Sequence, residues 1–228
     1  MSRNNVDTAL GTGPHALMPT VLGGVPLETA GYALVLVHGR GGTGEGMLPI
    51  ARAARATDAA LVAPVAAQNS WYPQRFLAPV AANEPWLSSA LASVDGAVQQ
   101  ILAAGIPRER VVLVGFSQGA CLSLEYAARA AATNARFGGV VAMAGALIGD
   151  PMAPRHDTGS LHGTPVVLAC GDADMHIPEA SVRASATVFA ALDAAVDLRI
   201  YPDVGHDVTG DQIAALADLV ESLRNAQG

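Results

Sequence analysis

The chain reads as an α/β protein, a doubly wound and mostly parallel sheet in one domain without a large cap. Short runs rich in Val and Leu recur along it, each close to continuously apolar, as strands covered on both faces require. Helix-compatible stretches separate these runs, and that alternation implies right-handed crossovers between parallel strands. The length of 228 residues, 51% hydrophobic and 14% charged, suffices for one sizeable core. No internal repeat, low-complexity block or linker divides it.

Taken in order, strands are expected over Ala33–Val37, Ala60–Val65, Val111–Gly115, Gly139–Met143, Pro165–Cys170 and Asp197–Tyr201. The helices between them are expected over Leu48–Ala56, Pro85–Ala104, Gln118–Ala131, Glu179–Leu192 and Asp211–Arg224, the last opening on an acidic residue that the helix dipole favours. Residues 1–30 are expected to form a weakly patterned lead-in with an edge hairpin around Thr20 to Leu27, and residues 31–228 the α/β domain itself. No segment is long enough for a separate helical cap.

Composition removes several function classes. All 13 basic residues are arginine, so a Walker-type phosphate loop, a pyridoxal Schiff base and a Ser-x-x-Lys acyl transferase are excluded, each needing a lysine amine. With 20 acidic residues the formal charge is −7 and the arginines are scattered, which argues against a nucleic-acid partner. Cys121 and Cys170 sit in apolar runs and are expected to pack as small hydrophobes. The start MSRNNVDTAL lacks the basic-then-apolar pattern of a secretion signal. The longest apolar stretches fall short of the roughly 20 residues that span a bilayer, so the expected location is cytoplasmic with no membrane span.

In open α/β sheets the reactive groups gather in the loops that follow the strands. After the Val111 strand comes Gly115-Phe116-Ser117-Gln118-Gly119 and then a helix, which is G-x-S-x-G in the strand-turn-helix setting that makes a serine nucleophile. The competing reading is a glycine-rich turn with a solvated serine. A serine hydroxyl needs a base, and the base needs an orienting acid. His206, in the loop Asp203-Val204-Gly205-His206 after the last strand, supplies the base in the chain order Ser, acid, His. For the acid, the loop Gly171-Asp172-Ala173-Asp174 offers two carboxylates. Turn chemistry favours Asp174, because Asp172 directly after the strand is placed to bind turn N–H groups. His176 competes for the same carboxylate. His38-Gly39-Arg40-Gly41-Gly42 after the first strand supplies an oxyanion hole, the donors being the backbone N–H groups of Arg40 and Gln118.

These segments, together with Trp71-Tyr72 to Leu91, Ile177-Pro178 and Tyr201 to His206, resemble the phospholipase/carboxylesterase family of α/β-hydrolases, which includes the acyl-protein thioesterases. The resemblance implies an α/β-hydrolase fold, with Ser117 as nucleophile, Asp174 as acid, His206 as base and the amides of Arg40 and Gln118 as the oxyanion hole. Arg40 and Met175-His176 depart from the thioesterase members, which bears on acyl-chain preference.

Aromatics make up 4% of the chain, yet Trp71, Tyr72, Phe76 and Trp86 cluster after the second strand, and they are expected to wall the substrate site. The competing reading is a loop pinned by its own packing. Arg40 either meets an acidic substrate group or points to solvent. The expected function is hydrolysis of short to medium acyl esters through an acyl-enzyme, with thioester or lysophospholipid cleavage as the alternative. The expected partner is a small-molecule ester, with no cofactor and no metal, and a homodimer is left open. Two readings from other classes compete. One is a metal-dependent hydrolase using Asp172, Asp174, His176, Asp203, His206 and Asp207, and the other a scaffold that only binds a ligand.

Overall fold

The computed structural model describes residues 13–226. Among them seven strands pair: β1 Thr20–Gly24, β2 Ala33–Val37, β3 Ala60–Pro64, β4 Val111–Phe116, β5 Gly139–Met143, β6 Pro165–Gly171 and β7 Ala195–Tyr201. The helices are α1 Gly44–Ala53, α2 Trp86–Ala103, α3 Gln118–Ala130, α4 Glu179–Ala191 and α5 Gly210–Asn225. Every residue of β2, β3 and β5 is buried, which is why these runs show no polar alternation. Ala33, Val35 and Val37 of β2 face one core, filled by Leu87, Val94 and Ile101 of α2 and Phe189 of α4. Leu34 and Leu36 face the other, filled by Met47 of α1 and by Leu216 and Val220 of α5. Helices therefore cover both faces, as the alternating pattern requires.

The strand order is β1-β3-β2-β4-β5-β6-β7, parallel except for β1. From β2 the chain passes to β3 on one side and then returns to β4 on the other. The carboxyl ends of β2 and β4, in register at Val37 and Gly115, thus flank the point where the winding reverses, and a crevice opens there. The two loops predicted to carry the serine and the oxyanion hole leave from those two strand ends.

The larger departures from the sequence reading fall in the lead-in and in helix α1. The lead-in contributes one strand instead of an edge hairpin: β1 lies antiparallel to β3, from Thr20 opposite Pro64 to Gly24 opposite Ala60. Helix α1 begins ahead of Leu48 because the Thr43 hydroxyl accepts the Gly46 N–H at 3.2 Å, and Pro49, which argues against helix, is carried inside it. It stops at Ala53 instead of Ala56 because the chain turns at Arg55, where φ is 58°.

The turn from β4 into α3 is held by contact with β2. A Cβ built on Gly119 would lie 2.1 Å from the Val37 carbonyl oxygen and 2.5 Å from that of His38, and one on Gly115 would lie 2.4 Å from the Gly119 oxygen. All of these are backbone atoms that cannot move aside. Gly119→Ala is expected to destabilise the protein by about 3 kcal/mol in chemical denaturation. A loss under about 0.5 kcal/mol would show that α3 does not press on β2.

Candidate active site

Ser117 sits between β4 and α3 at φ 54°, ψ −120°, a backbone conformation that L residues rarely adopt. Its N–H donates to the Met143 carbonyl at 2.9 Å, which ties the turn to β5. The strained turn lifts the hydroxyl into the crevice. There Ser117 Oγ lies 2.8 Å from His206 Nε2, while His206 Nδ1 lies 2.7 Å from Asp174 Oδ2. An ionised carboxylate only accepts, so Nδ1 carries the hydrogen and Nε2 is left to accept from the serine O–H. This is the tautomer that a general base requires.

Asp174 is the carboxylate that reaches the imidazole, and its side chain is wholly buried. Burial pushes its pKa up, but hydrogen bonds from His206 and from the N–H groups of Ile177 and His176, at 2.9 and 2.8 Å, outweigh that and hold it below the ordinary value. Asp172 binds a turn amide: its Oδ1 accepts the Asp203 N–H at 2.8 Å, joining the loop of Asp174 to the loop of His206. His176 does not compete for Asp174 with its ring. Only its backbone N–H goes there, and its exposed imidazole packs edge-on against His206 at 4.8 Å between centroids.

Neither the Arg40 nor the Gln118 backbone N–H donates to a protein acceptor among the described residues, and both residues line the pocket beside Ser117. The neighbouring amides are used: Gly41 N–H donates to Asn69 at 2.7 Å and Gly42 N–H to Gly39 at 3.0 Å. Two free donors beside Ser117 suit an oxygen that becomes negative when a carbonyl is attacked.

The aromatic cluster divides. Tyr72 and Phe76 line a pocket of about 340 Å³ beside Ser117. Trp71 and Trp86 do not, and they pin the loop instead. Trp71 is fully buried, its indole N–H donating to the His38 carbonyl at 2.8 Å, and Trp86 packs edge-on against His15 at 5.4 Å. The Arg40 guanidinium, although the residue is exposed at the pocket rim, is engaged by the loop: it donates to Ser70 Oγ and to the carbonyls of Tyr72, Pro73 and Gln74 at 2.8 to 3.2 Å. The Gln118 side chain accepts the Trp71 N–H at 2.9 Å and donates to Tyr72 O at 2.8 Å. Sequence reasoning missed Phe116, Ile177, Arg75 and Cys121, which complete the wall. Phe116 was within reach, being the residue before the serine at a strand end, and its ring packs 5.2 Å from His206. Burial pushes the Cys121 thiol up to about 12, so it stays protonated in that wall.

Metal chemistry at the same loops would need converging ligands. Among the described residues no three His, Cys, Asp or Glu side chains come together as a ligand set. No described helix is long and apolar enough to cross a membrane.

The phospholipase/carboxylesterase family model matches residues 26–224. The chain belongs to that family. A solved phospholipase/carboxylesterase from Dyadobacter fermentans is 40% identical, with 90% of this chain and 96% of that one covered and a TM-score of 0.84. A Yarrowia lipolytica protein named acyl-protein thioesterase 1 is 30% identical over 67% of this chain and 74% of its own length. The chain spans about half the length of other curated relatives it matches. A Bacillus cereus carboxylesterase structure, at 18% identity and a TM-score of 0.70, shares the fold.

Two buried histidines hold the loop from below and must stay neutral to do so. His38 Nε2 accepts the Ala66 N–H at 3.1 Å while Nδ1–H donates to Gly39 O at 2.8 Å. His15 Nδ1 accepts the Ala67 N–H at 3.0 Å while Nε2–H donates to Trp71 O at 2.9 Å. Burial lowers both pKa values below the free value of 6.5, against a smaller opposing pull from the carbonyls. Below pH 6.5 the unfolded chain therefore binds protons that the folded chain refuses, and stability falls as pH falls. Each histidine contributes up to about 1.4 kcal/mol per pH unit to that slope. His38→Asn is expected to make the slope shallower between pH 6.5 and 5 in denaturation experiments. An unchanged slope would contradict the neutral, buried role.

Proposed function

We propose that the protein is a serine carboxylesterase acting on short to medium acyl esters through an acyl-enzyme. The observation that carries this reading is the continuous relay from Asp174 through His206 to Ser117, opening into a pocket with two free backbone amides. In the first half-reaction His206 Nε2 takes the serine proton as Oγ bonds to the substrate carbonyl carbon, and the carbonyl oxygen gathers charge against the Arg40 and Gln118 amides. The tetrahedral species collapses, the bond to the alcohol oxygen breaks, and His206 returns the proton to that leaving group. In the second half-reaction His206 removes a proton from water, which attacks the acyl-serine, and the proton then goes back to Ser117 Oγ as the acid leaves. Asp174 keeps Nδ1 protonated throughout and stabilises the transient imidazolium.

A pocket of about 340 Å³ supports a short acyl group. The similarity to a Yarrowia lipolytica acyl-protein thioesterase supports thioester cleavage as a second reading with the same three residues.

Ser117→Ala is expected to abolish turnover of p-nitrophenyl butyrate without unfolding the protein, and EDTA to leave the wild type unchanged. Asp174→Asn should lower turnover about 10⁴-fold. Asp172→Asn should cost far less, because its amide oxygen still accepts the Asp203 N–H. Activity surviving in Ser117→Ala, or equal damage from the two Asp variants, would contradict these roles.

A further inference from the structure

The loop over the pocket is clamped along its backbone while one of its charges is left free. The carbonyls of five successive residues, Tyr72 to Phe76, all accept hydrogen bonds. Arg40 takes the first three, Ala78 N–H takes Arg75 O at 3.0 Å, and Gly149 N–H takes Phe76 O at 2.7 Å. The buried Asn83 side chain adds its oxygen to Gln74 N–H at 2.8 Å. Arg75 therefore leaves from a fixed backbone. Among the described residues its guanidinium has no hydrogen-bond or ion-pair partner, which is also true of Arg52, Arg55, Arg108 and Arg136, but of these five only Arg75 lines the pocket. It lines the same pocket as Ser117 and His206, and no Asp or Glu lines that pocket, although the chain as a whole carries a formal charge of −7.

We infer that Arg75 determines specificity by receiving a carboxylate carried on the ester substrate, so that short carboxylate-bearing esters are hydrolysed in preference to neutral ones of the same shape. The inference rests on the esterase reading above. A planar guanidinium with its donors unspent matches a carboxylate in two parallel hydrogen bonds, and the pocket offers no acid to repel the anion. Arg40 cannot pair with a carboxylate in this two-bond way, since both its terminal nitrogens already hold the loop. A preformed backbone also spares the ordering cost that a mobile arginine would bring to binding.

The test compares kcat/KM for charged and neutral ester pairs. Monomethyl glutarate against methyl glutaramate places the carboxylate on the acyl side, and butyryloxyacetate against its amide places it on the alcohol side. The wild type should favour the carboxylate in at least one pair by about tenfold, and 1 M salt should shrink that ratio because the arginine is exposed. Arg75→Gln should bring the ratio close to one, with Arg75→Lys between. The ratio is the readout, and a purely structural role for Arg75 would lower both members of a pair together. A wild-type ratio near one in both pairs, a ratio indifferent to Arg75→Gln, or selectivity confined to a phosphate-bearing butyryl ester would each overturn the inference. If p-nitrophenyl butyrate is cleaved in a Ser117-dependent way while the ratios stay near one, only this inference fails. If that ester is not cleaved at all, the esterase reading fails and takes the inference with it.

Discussion

The site depends on how closely α3 approaches the end of β2. That approach requires glycine at 119, where a side chain would meet the Val37 and His38 carbonyls, and glycine at 115, where it would meet the turn itself. Within this constraint the connecting residue is driven to φ 54°, and a serine in that conformation must project above the sheet edge. The strain is tolerated because the turn is tied on both sides, by Ser117 N–H to Met143 and by the helix that follows. Packing thus fixes Ser117 independently of the side chains that meet it. His206 and Asp174 arrive on the loops after β7 and β6, and Asp172 links those two loops through the Asp203 amide.

Below the pocket lies a second, polar layer of support. His15, His38, Trp71, Gln118 and Arg40 form a network whose members bind backbone groups of residues 66–74 almost exclusively. Gln118 belongs to both layers: its backbone N–H is free for the substrate oxygen and its side chain holds Trp71 and Tyr72. The free amide beside Ser117 and the aromatic wall are consequently positioned by the same residue. Such a network is stable only when every member is satisfied, which ties the neutral state of two histidines to the shape of the substrate site.

Much of this could be read from the sequence, for identifiable reasons. Strands buried on both faces appear as apolar runs, and in an open parallel sheet the loops after those runs are the only places where Ser117, Asp174 and His206 can meet. Turn chemistry distinguishes Asp172 from Asp174 in the sequence, and the contacts follow the same division: the residue next to the strand spends an oxygen on a backbone amide, while Asp174 meets His206. What could not be read was direction. Trp71 and Trp86 cluster in sequence with Tyr72 and Phe76, but they turn inward because His15 and the His38 carbonyl wait there, partners more than thirty residues away. The Arg40 guanidinium follows the same logic, drawn to carbonyls over thirty residues along the chain. The edge strand β1 reads as part of a hairpin in the sequence because its partner, β3, is not its neighbour along the chain.

The most direct test of the central claim is the site of covalent capture by a fluorophosphonate, read by peptide mass spectrometry. One adduct per chain is expected, on Ser117, forming at least about 100-fold more slowly in His206→Asn, which keeps the fold but removes the base. An adduct on another residue, or labelling of Ser117 at the same rate without His206, would contradict the account.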